Sequence, residues 1–375
     1  MPTTRDAPVL HVVGTRPNFM KAAAVWRGLG REGVAQELVH TGQHYDPGLS
    51  QSFFDILALP EPTHRFGIGS GTHARQTAEV MLSTDTLLAT RGAAAVVVYG
   101  DVNSSVGAAL VACKLGIPVV HVEAGLRSRD RTMPEEHNRV VIDHVADLLL
   151  TPSRDGDENL AAEGVAPERI RFVGNTMVDS LLRHLDEAAL RGAAQARGLR
   201  DRGYALVTLH RPALTDDPDM LAATVAGLIA LAAELPVVFP LHPRTRGRLA
   251  DAGLLDGLAA ACLLTEPIDY LDSLSLQRSA AAVLTDSGGI QEETTVLGVP
   301  CFTLRDNTER PVTISEGTNT LLGLRPDRIP EIPALLGLAP REARAPEGWD
   351  GEAGRRSAEA IVDLTAAAPR LSATL

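Results

Sequence analysis

The chain has 375 residues, 45% apolar and 22% charged, an ordinary globular composition with room for two or three domains. Its net charge of −12 excludes the broadly basic face of a nucleic-acid binder and leaves open only a local basic pocket for phosphate. Aromatics are scarce at 3%, so the core has to be built from Ala, Val, Leu and Ile. No apolar run of about 18 residues occurs, and none follows Met1-Pro2-Thr3-Thr4-Arg5, so the chain is read as cytoplasmic, without a membrane partner. Cys113, Cys262 and Cys301 stand far apart in apolar settings and predict buried structural thiols, with no zinc or other metal cluster.

Strand and helix patterns alternate throughout. Val9 to Val13 predicts a strand, closed by Gly14, and Met20 to Leu29 a helix. Leu38 to Thr41 predicts a second strand and Asp46 to Leu57 a second helix. Residues 60–73 read as loop and Ala74 to Thr90 as helix. Ala94 to Tyr99 is continuously apolar, as in a strand covered on both faces. A helix at Ser104 to Leu115, a strand at Pro118 to Val122, a helix from about Pro134 and a strand at Leu148 to Leu150 follow.

After a helix at Met177 to Arg191, strands are expected at Ala205 to Leu209, Val237 to Phe239, Cys262 to Leu264, Ala282 to Leu284 and Cys301 to Leu304, with a helix at Met220 to Leu235. Proline is frequent from Pro326 to Glu347, Gly351 to Ala367 predicts a last helix, and Pro369 to Leu375 a disordered tail. The alternation is that of parallel, doubly wound α/β sheets, and the break near 170–175 divides the chain into two halves. Two such sheets facing each other leave a cleft at their strand C-termini, where ligands bind.

The candidate chemistry sits at those strand ends. Gly14-Thr15-Arg16-Pro17 and Lys21 follow the first strand; Arg16 and Lys21 can meet one anion, or both be solvated. The segment is neither GxGxxG nor a P-loop, which argues against a Walker-type ATP site. Asp101 ends the most apolar strand, as a cleft carboxylate or an N-cap. His121 and Glu123 are two apart and so expected on one strand face. Glu135 and Glu136 open a helix about 100° apart, so one of them faces the cleft; the plainer reading is a helix-start preference with a Glu135–Arg139 pair. Asp101, Glu123 and Glu135 follow successive strands, and crowded carboxylates raise one another's pKa, which suits proton transfer at carbon.

In the second half His210-Arg211, His242-Pro243-Arg244 and Thr308-Glu309-Arg310 end strands with basic groups. Thr285-Asp286-Ser287-Gly288-Gly289-Ile290-Gln291-Glu292-Glu293 is a strand-to-helix turn. Its glycines permit close backbone approach, and the helix start offers N–H groups to an anion. A nucleotide-sugar diphosphate fits, as does an ordinary turn with a solvated acidic helix start.

These elements, with Thr41-Gly42-Gln43-His44, His121-Val122-Glu123-Ala124-Gly125-Leu126-Arg127, Pro134-Glu135-Glu136, Asn138-Arg139 and Gly174-Asn175-Thr176, resemble the non-hydrolysing UDP-N-acetylglucosamine 2-epimerases. The resemblance implies a glycosyltransferase-B type fold, an α/β architecture of two facing Rossmann-like domains with an interdomain cleft. It sets residues 1–172 as the first domain, completed by a C-terminal helix at 355–375, and 173–354 as the UDP-binding domain. It implies loss of the C2 proton and of UDP to give 2-acetamidoglucal, then re-addition with C2 inverted, with no metal or nicotinamide cofactor. Asp101, Glu123, Glu135 and His210 become the catalytic candidates. Arg16, Lys21, His242, Ser287, Gly288 and Gly289 become candidate UDP contacts, with Glu293 for the ribose and Arg310 for substrate. A homodimer serving cell-surface polysaccharide synthesis is also implied.

The chain departs from the family pattern at Asn18, where glutamate is usual, and at Ala213-Leu214, where Glu-Asn is usual. Gln43-His44-Tyr45-Asp46 lie where members carry substrate activation, which is not carried over. The competing readings are a 2-epimerase of a related sugar such as a UDP-2,3-diacetamido uronic acid, a glycosyltransferase of the same fold, and a weakened UDP-sugar binding protein.

Overall fold

The computed structural model describes residues 7–42, 54–337 and 345–367. The segment Gln43 to Asp46, the first part of the helix expected from Asp46, and the tail from Pro369 lie outside them. Two compact units are present, one of residues 1–182 with 347–375 and one of 183–346.

The first unit holds seven parallel strands in the order β3-β2-β1-β4-β5-β6-β7. They are β1 (Val9–Val13), β2 (Gln36–His40), β3 (His64–Arg65), β4 (Ala95–Tyr99), β5 (Val119–Val122), β6 (Leu148–Thr151) and β7 (Ile170–Phe172). Its helices include α1 (Arg16–Arg31), α2 (His73–Arg91), α3 (Asn103–Lys114), α4 (Pro134–Val145), α5 (Arg154–Ala162) and α6 (Thr176–Arg191), the last running on into the second unit. The central strand β4 is buried at every position, because helices cover both faces of a parallel sheet. It pairs with β1 and β5 in register, Val98 opposite Val12 and His121.

The turn from β1 into α1 shows why the helix starts earlier than its apolar spacing predicts. Thr15 is the N-cap, and Pro17, whose ring presets helical φ, lies in the first turn. The Asn18 side chain accepts from the N–H groups of Gly14 and Thr15, both at 3.1 Å, and donates to the Tyr99 carbonyl at 2.8 Å. Glutamate, usual here in the family, has no N–H to give to Tyr99 when ionised, so the amide stitches β1 to β4 in a way that a carboxylate does not.

The last helix, Ala353–Ala367, packs on α1 at a glycine crossing. A Cβ on Gly28 would collide with the Gly354 carbonyl oxygen and lie 2.9 Å from the Ala358 Cβ, neither of which yields easily. Two glycines of the same helix therefore respond oppositely to one substitution. Gly30→Ala, with only the Gln36 amide 3.8 Å away, is expected to stabilise by up to about 1 kcal/mol through helix propensity. Gly28→Ala gains the same propensity but overpacks the crossing, at about 1–3 kcal/mol, so net destabilisation is expected. Urea melts of both variants check this; a Gly28→Ala protein as stable as Gly30→Ala contradicts the crossing.

The second unit holds six parallel strands in the order β10-β9-β8-β11-β12-β13. They are β8 (Ala205–Thr208), β9 (Val237–Pro240), β10 (Leu263–Thr265), β11 (Ala282–Thr285), β12 (Cys301–Thr303) and β13 (Asn319–Leu321). Between them lie α7 (Pro212–Thr215), α8 (Pro218–Ala232), α9 (Pro243–Asp251), α10 (Leu255–Ala261), α11 (Tyr270–Ser279), α12 (Gly288–Leu297) and α13 (Val312–Ser315). Val207, Leu214, Leu228, Phe239 and Leu284 belong to one buried apolar cluster. Leu214 is thus a core residue, and its departure from the polar family residue falls in packing; Ala213 beside it is exposed.

Cys262 and Cys301 are buried as expected, but Cys113 is exposed. It is the penultimate residue of α3, at the end that leaves the sheet, where the apolar sequence does not mark the outward side. No helix among the described residues is long and apolar enough to cross a membrane.

Candidate functional site

In the first unit the candidate side chains gather where β4 and β5 end, side by side. Gly100 follows β4 with φ of 59°, the left-handed region that favours glycine. A Cβ there would lie 2.8 Å from Glu123 Oε2 and 3.0 Å from Lys21 Nζ and so would push on the ends of both side chains. Glu123 itself has φ of 72°, a conformation costing a non-glycine residue about 1–3 kcal/mol and found most often at functional sites. The N–H groups of Glu123 and Ala124 both donate to the Leu150 carbonyl at 3.1 Å, which holds the bend.

This bend corrects the expectation that His121 and Glu123 share a strand face. β5 stops at Val122, and the alternation stops with it. His121 stays in the sheet, fully buried, with Nδ1 2.6 Å from Asp143 Oδ1 and Nε2 3.1 Å from the Gly100 carbonyl. Both ring nitrogens face oxygen acceptors, so both bonds form only with a proton on each. Glu123 leaves the sheet and pairs with Lys21.

Lys21 is therefore not beside Arg16. Arg16 is exposed at the first position of α1, whereas Lys21 is buried in the second turn with its ammonium on Glu123. Two of the three carboxylates, Asp101 and Glu123, each meet a cation. Asp101 accepts from Arg139, with Nε at 3.1 Å and Nη2 also in contact. Arg139 gives its other nitrogen, Nη1, to Glu136 at 2.8 Å, so it serves Asp101 and Glu136 where a Glu135 pair was the plainer reading.

Of the two glutamates Glu136 is the buried one. It accepts from the backbone N–H groups of Ser128 at 2.9 Å and Arg129 at 2.8 Å and so fixes the loop before α4. Glu135 stands half-buried one residue earlier. Asn138 donates to the Asp101 carbonyl at 2.8 Å and to Asn103 Oδ1 at 3.2 Å, which ties α4 to the end of β4.

In the second unit the candidates gather where β8 and β11 end. Thr285 lies opposite Thr208, so the residues leaving the two strands meet. Asp286, fully buried, accepts the N–H groups of His210 at 2.8 Å and Arg211 at 2.7 Å on Oδ2. Its Oδ1 lies 3.0 Å from His210 Nδ1. The Asp286 carboxylate beside the ring is the largest influence on His210 and raises its pKa; burial and Arg211 oppose. Burial alone would raise the Asp286 pKa, but bonding and charge from His210 bring it below the ordinary value.

Ser287 caps α12 with extended backbone, and its N–H donates to Thr285 Oγ1 at 3.0 Å. The first amides of α12 lack intrahelical partners by construction. Arg310 closes over this turn, its Nη1 2.6 Å from where a Gly288 Cβ would be. Glu292 Oε1 lies 2.8 Å from its Nε in an ion pair, and Glu309, itself bonded twice to Arg305 at 2.9 and 3.0 Å, flanks its Nη1. Helix amides beside a guanidinium are an arrangement that suits an anion such as a phosphate.

Glu293 lies buried one turn in, where Gln277 Nε2 donates to its carboxyl at 2.7 Å. Burial pushes its pKa up to about 7. The unfolded chain ionises this group first, so the fold loses stability as pH rises from about 4.5 towards 7. His242 is exposed, and its Nδ1 accepts from the Arg244 N–H at 3.2 Å as the cap of α9.

Sequence reading missed Asp286 and Arg139 as partners of candidates, and Asp143 beneath them. Only the acidic residue before Ser287, which has no role in the sequence reading, and Arg139, read there as a partner of Glu135, gave any signal.

A family model described as UDP-N-acetylglucosamine 2-epimerase matches residues 29–362. A UDP-N-acetylglucosamine 2-epimerase of Methanocaldococcus jannaschii is 39% identical over 352 residues, 92% of this chain and 96% of that protein. A UDP-2,3-diacetamido-2,3-dideoxy-D-glucuronate 2-epimerase of Pseudomonas aeruginosa is 38% identical over 328 residues, 86% of this chain and 90% of that one. The crystal structure of the Methanocaldococcus jannaschii UDP-GlcNAc 2-epimerase in complex with UDP-GlcNAc and UDP matches with a TM-score of 0.88 at 38% identity, covering 95% of this chain and 99% of that one.

Proposed function

The chain belongs to the UDP-N-acetylglucosamine 2-epimerase family, and from that premise we propose that it interconverts UDP-N-acetylglucosamine and UDP-N-acetylmannosamine. The C2–H bond breaks to a protein base, and the C1–O bond breaks to release UDP from the sugar. The bound 2-acetamidoglucal then regains UDP at C1 and a proton at C2 from the opposite face.

The observation that carries this reading is the edge of the first sheet. Adjacent strands deliver Asp101 and Glu123, each against its own cation, with Glu123 in a bend that only local bonding sustains. Proton transfer at a weakly acidic carbon needs held acids and bases. Glu123, Asp101 and Glu135 take those roles, and Lys21 serves Glu123. Departure of UDP needs charge stabilisation, which the Ser287 hydroxyl, the α12 amides of Gly288 and Gly289, the Arg310 guanidinium and His210 supply. Glu293 suits the ribose hydroxyls, while Arg16 and His242 remain outer contacts for the diphosphate. The same reading includes a homodimer in the cytoplasm, which light scattering of the purified protein checks for its oligomeric part.

The test is NMR of UDP-N-acetylglucosamine in D₂O with the protein. Deuterium at C2 together with the manno isomer is expected. Free N-acetylmannosamine with UDP means hydrolysis. No exchange without an acceptor favours a transferase, and turnover of only the diacetamido uronate favours the related epimerase.

A further inference from the structure

We propose that Asp286 is a positioning residue that sets both the orientation and the proton of the His210 ring; the inference rests on the role given to His210 above. Thr208 and Thr285 pair at the ends of β8 and β11, so the next residues of both strands leave together. Asp286 turns inward and is fully buried, while the His210 side chain is 53% exposed. One carboxylate then reaches three groups. Its Oδ2 takes the N–H groups of His210 and Arg211, at 2.8 and 2.7 Å, and its Oδ1 sits 3.0 Å from His210 Nδ1. The carboxylate that holds the His210 backbone thus turns its other oxygen, buried and without a hydrogen bond of its own, towards the ring of the same residue.

Among the described residues His210 is the one side chain in ion-pair range of Asp286. A buried carboxylate demands a partner of opposite charge. The pairing therefore favours Nδ1–H towards Asp286, with Nε2 an acceptor in the neutral ring and a donor in the imidazolium. Arg211, next in the chain, is the cation that opposes the proton. Asp286 also immediately precedes Ser287-Gly288-Gly289, so one residue anchors the histidine and starts the helix whose amides face an anion. A developing phosphate charge would then meet an imidazolium and a helix N-terminus held in fixed relation.

The experiment is ¹⁵N NMR of the His210 ring across pH in the full chain, wild type and Asp286→Asn, with His210→Gln to assign the signals. Wild type should show a protonated Nδ1 in the neutral form and a pKa above the ordinary histidine value. Asparagine that keeps its oxygen on the two backbone N–H groups presents NH₂ to Nδ1. The tautomer should then switch, with the pKa falling by about 1 or more. Activity carried by the imidazolium is lost as pH rises through this pKa. The basic limb of the kcat profile should therefore move to lower pH in Asp286→Asn, with KM nearly unchanged.

Unchanged His210 resonances in Asp286→Asn, or a wild-type ring with Nδ1 unprotonated, overturns the proposal; the wild-type measurement stands even if the variant does not fold. A wild type that shows the ring signature but no exchange at C2 sinks the epimerase reading and leaves the positioning role of Asp286 in place.

Discussion

Glu123→Gln is expected to slow deuterium exchange at C2 of UDP-N-acetylglucosamine by about 10²–10⁴-fold, the range for loss of a positioned general base. The substitution is nearly isosteric. An amide oxygen in place of Oε2 can still accept from Lys21, and the left-handed bend at this position depends on backbone bonds to Leu150, not on the side chain. What glutamine cannot do is take the proton. UDP affinity should change little, because the groups proposed to hold the diphosphate and ribose do not include Glu123, and Ser287, Gly288, Gly289, Glu293 and Arg310 among them belong to residues 183–346.

A structural cost has to be separated from this chemical one. Lys21 is buried, and the change leaves its ammonium facing a neutral amide, so some loss of stability is expected as well. The comparison is therefore made well below the variant's melting temperature, with UDP titrated calorimetrically as proof of a folded site. Exchange at the wild-type rate in that folded variant removes Glu123 from the mechanism.

Which parts of this arrangement were legible in the sequence follows from range. β1 and β4 are marked by their own apolar runs, and their bounds come within a residue of those read from sequence. β3, β7 and β13 were missed. They are edge strands of two or three residues, half exposed or polar, and they exist because a neighbouring strand offers its free edge. β10 is also an edge, but its leucines announced it.

The candidate residues were legible because strand C-termini in parallel sheets are where side chains meet ligands. Their partners were not. Lys21 meets Glu123, Arg139 meets Asp101 and Asp286 meets His210 across long stretches of chain, and no local spacing encodes such a meeting. The same limit explains the reading of His121 and Glu123 as a pair: strand alternation predicts one face only while the strand continues.

Asp143→Ala is expected to cost about 3–5 kcal/mol, the penalty for leaving buried charges uncompensated, from a total that for a protein domain is about 5–15 kcal/mol. Asp143 is fully buried. Its Oδ1 faces His121 Nδ1 at 2.6 Å, and its Oδ2 accepts from the Gly125 N–H at 3.1 Å and Arg127 Nη1 at 2.7 Å. Burial alone would raise its pKa, but the charges and hydrogen bonds of His121 and Arg127 outweigh it and hold the pKa below the ordinary carboxylate value. The sign for pH follows: the contribution is present above the unfolded value of about 3.9 and is lost as pH falls through the folded pKa. Urea melts of wild type and variant should thus differ most near neutrality and converge below about pH 4.

The penalty measures unpaired charge, not the net worth of the network. A triple variant, His121→Leu with Arg127→Met and Asp143→Leu, should recover most of the stability, since apolar replacement of a buried ionic cluster is often neutral or stabilising by about 1–4 kcal/mol. It should not recover the site. Through His121 the network holds the Gly100 carbonyl, and through Asp143 the Gly125 N–H, which bracket the turns carrying Asp101 and Glu123. A stable triple variant with slowed C2 exchange is the expected result. One that is both stable and fully active would mean that β4 and β5 alone fix the carboxylates and that the buried charges serve folding only.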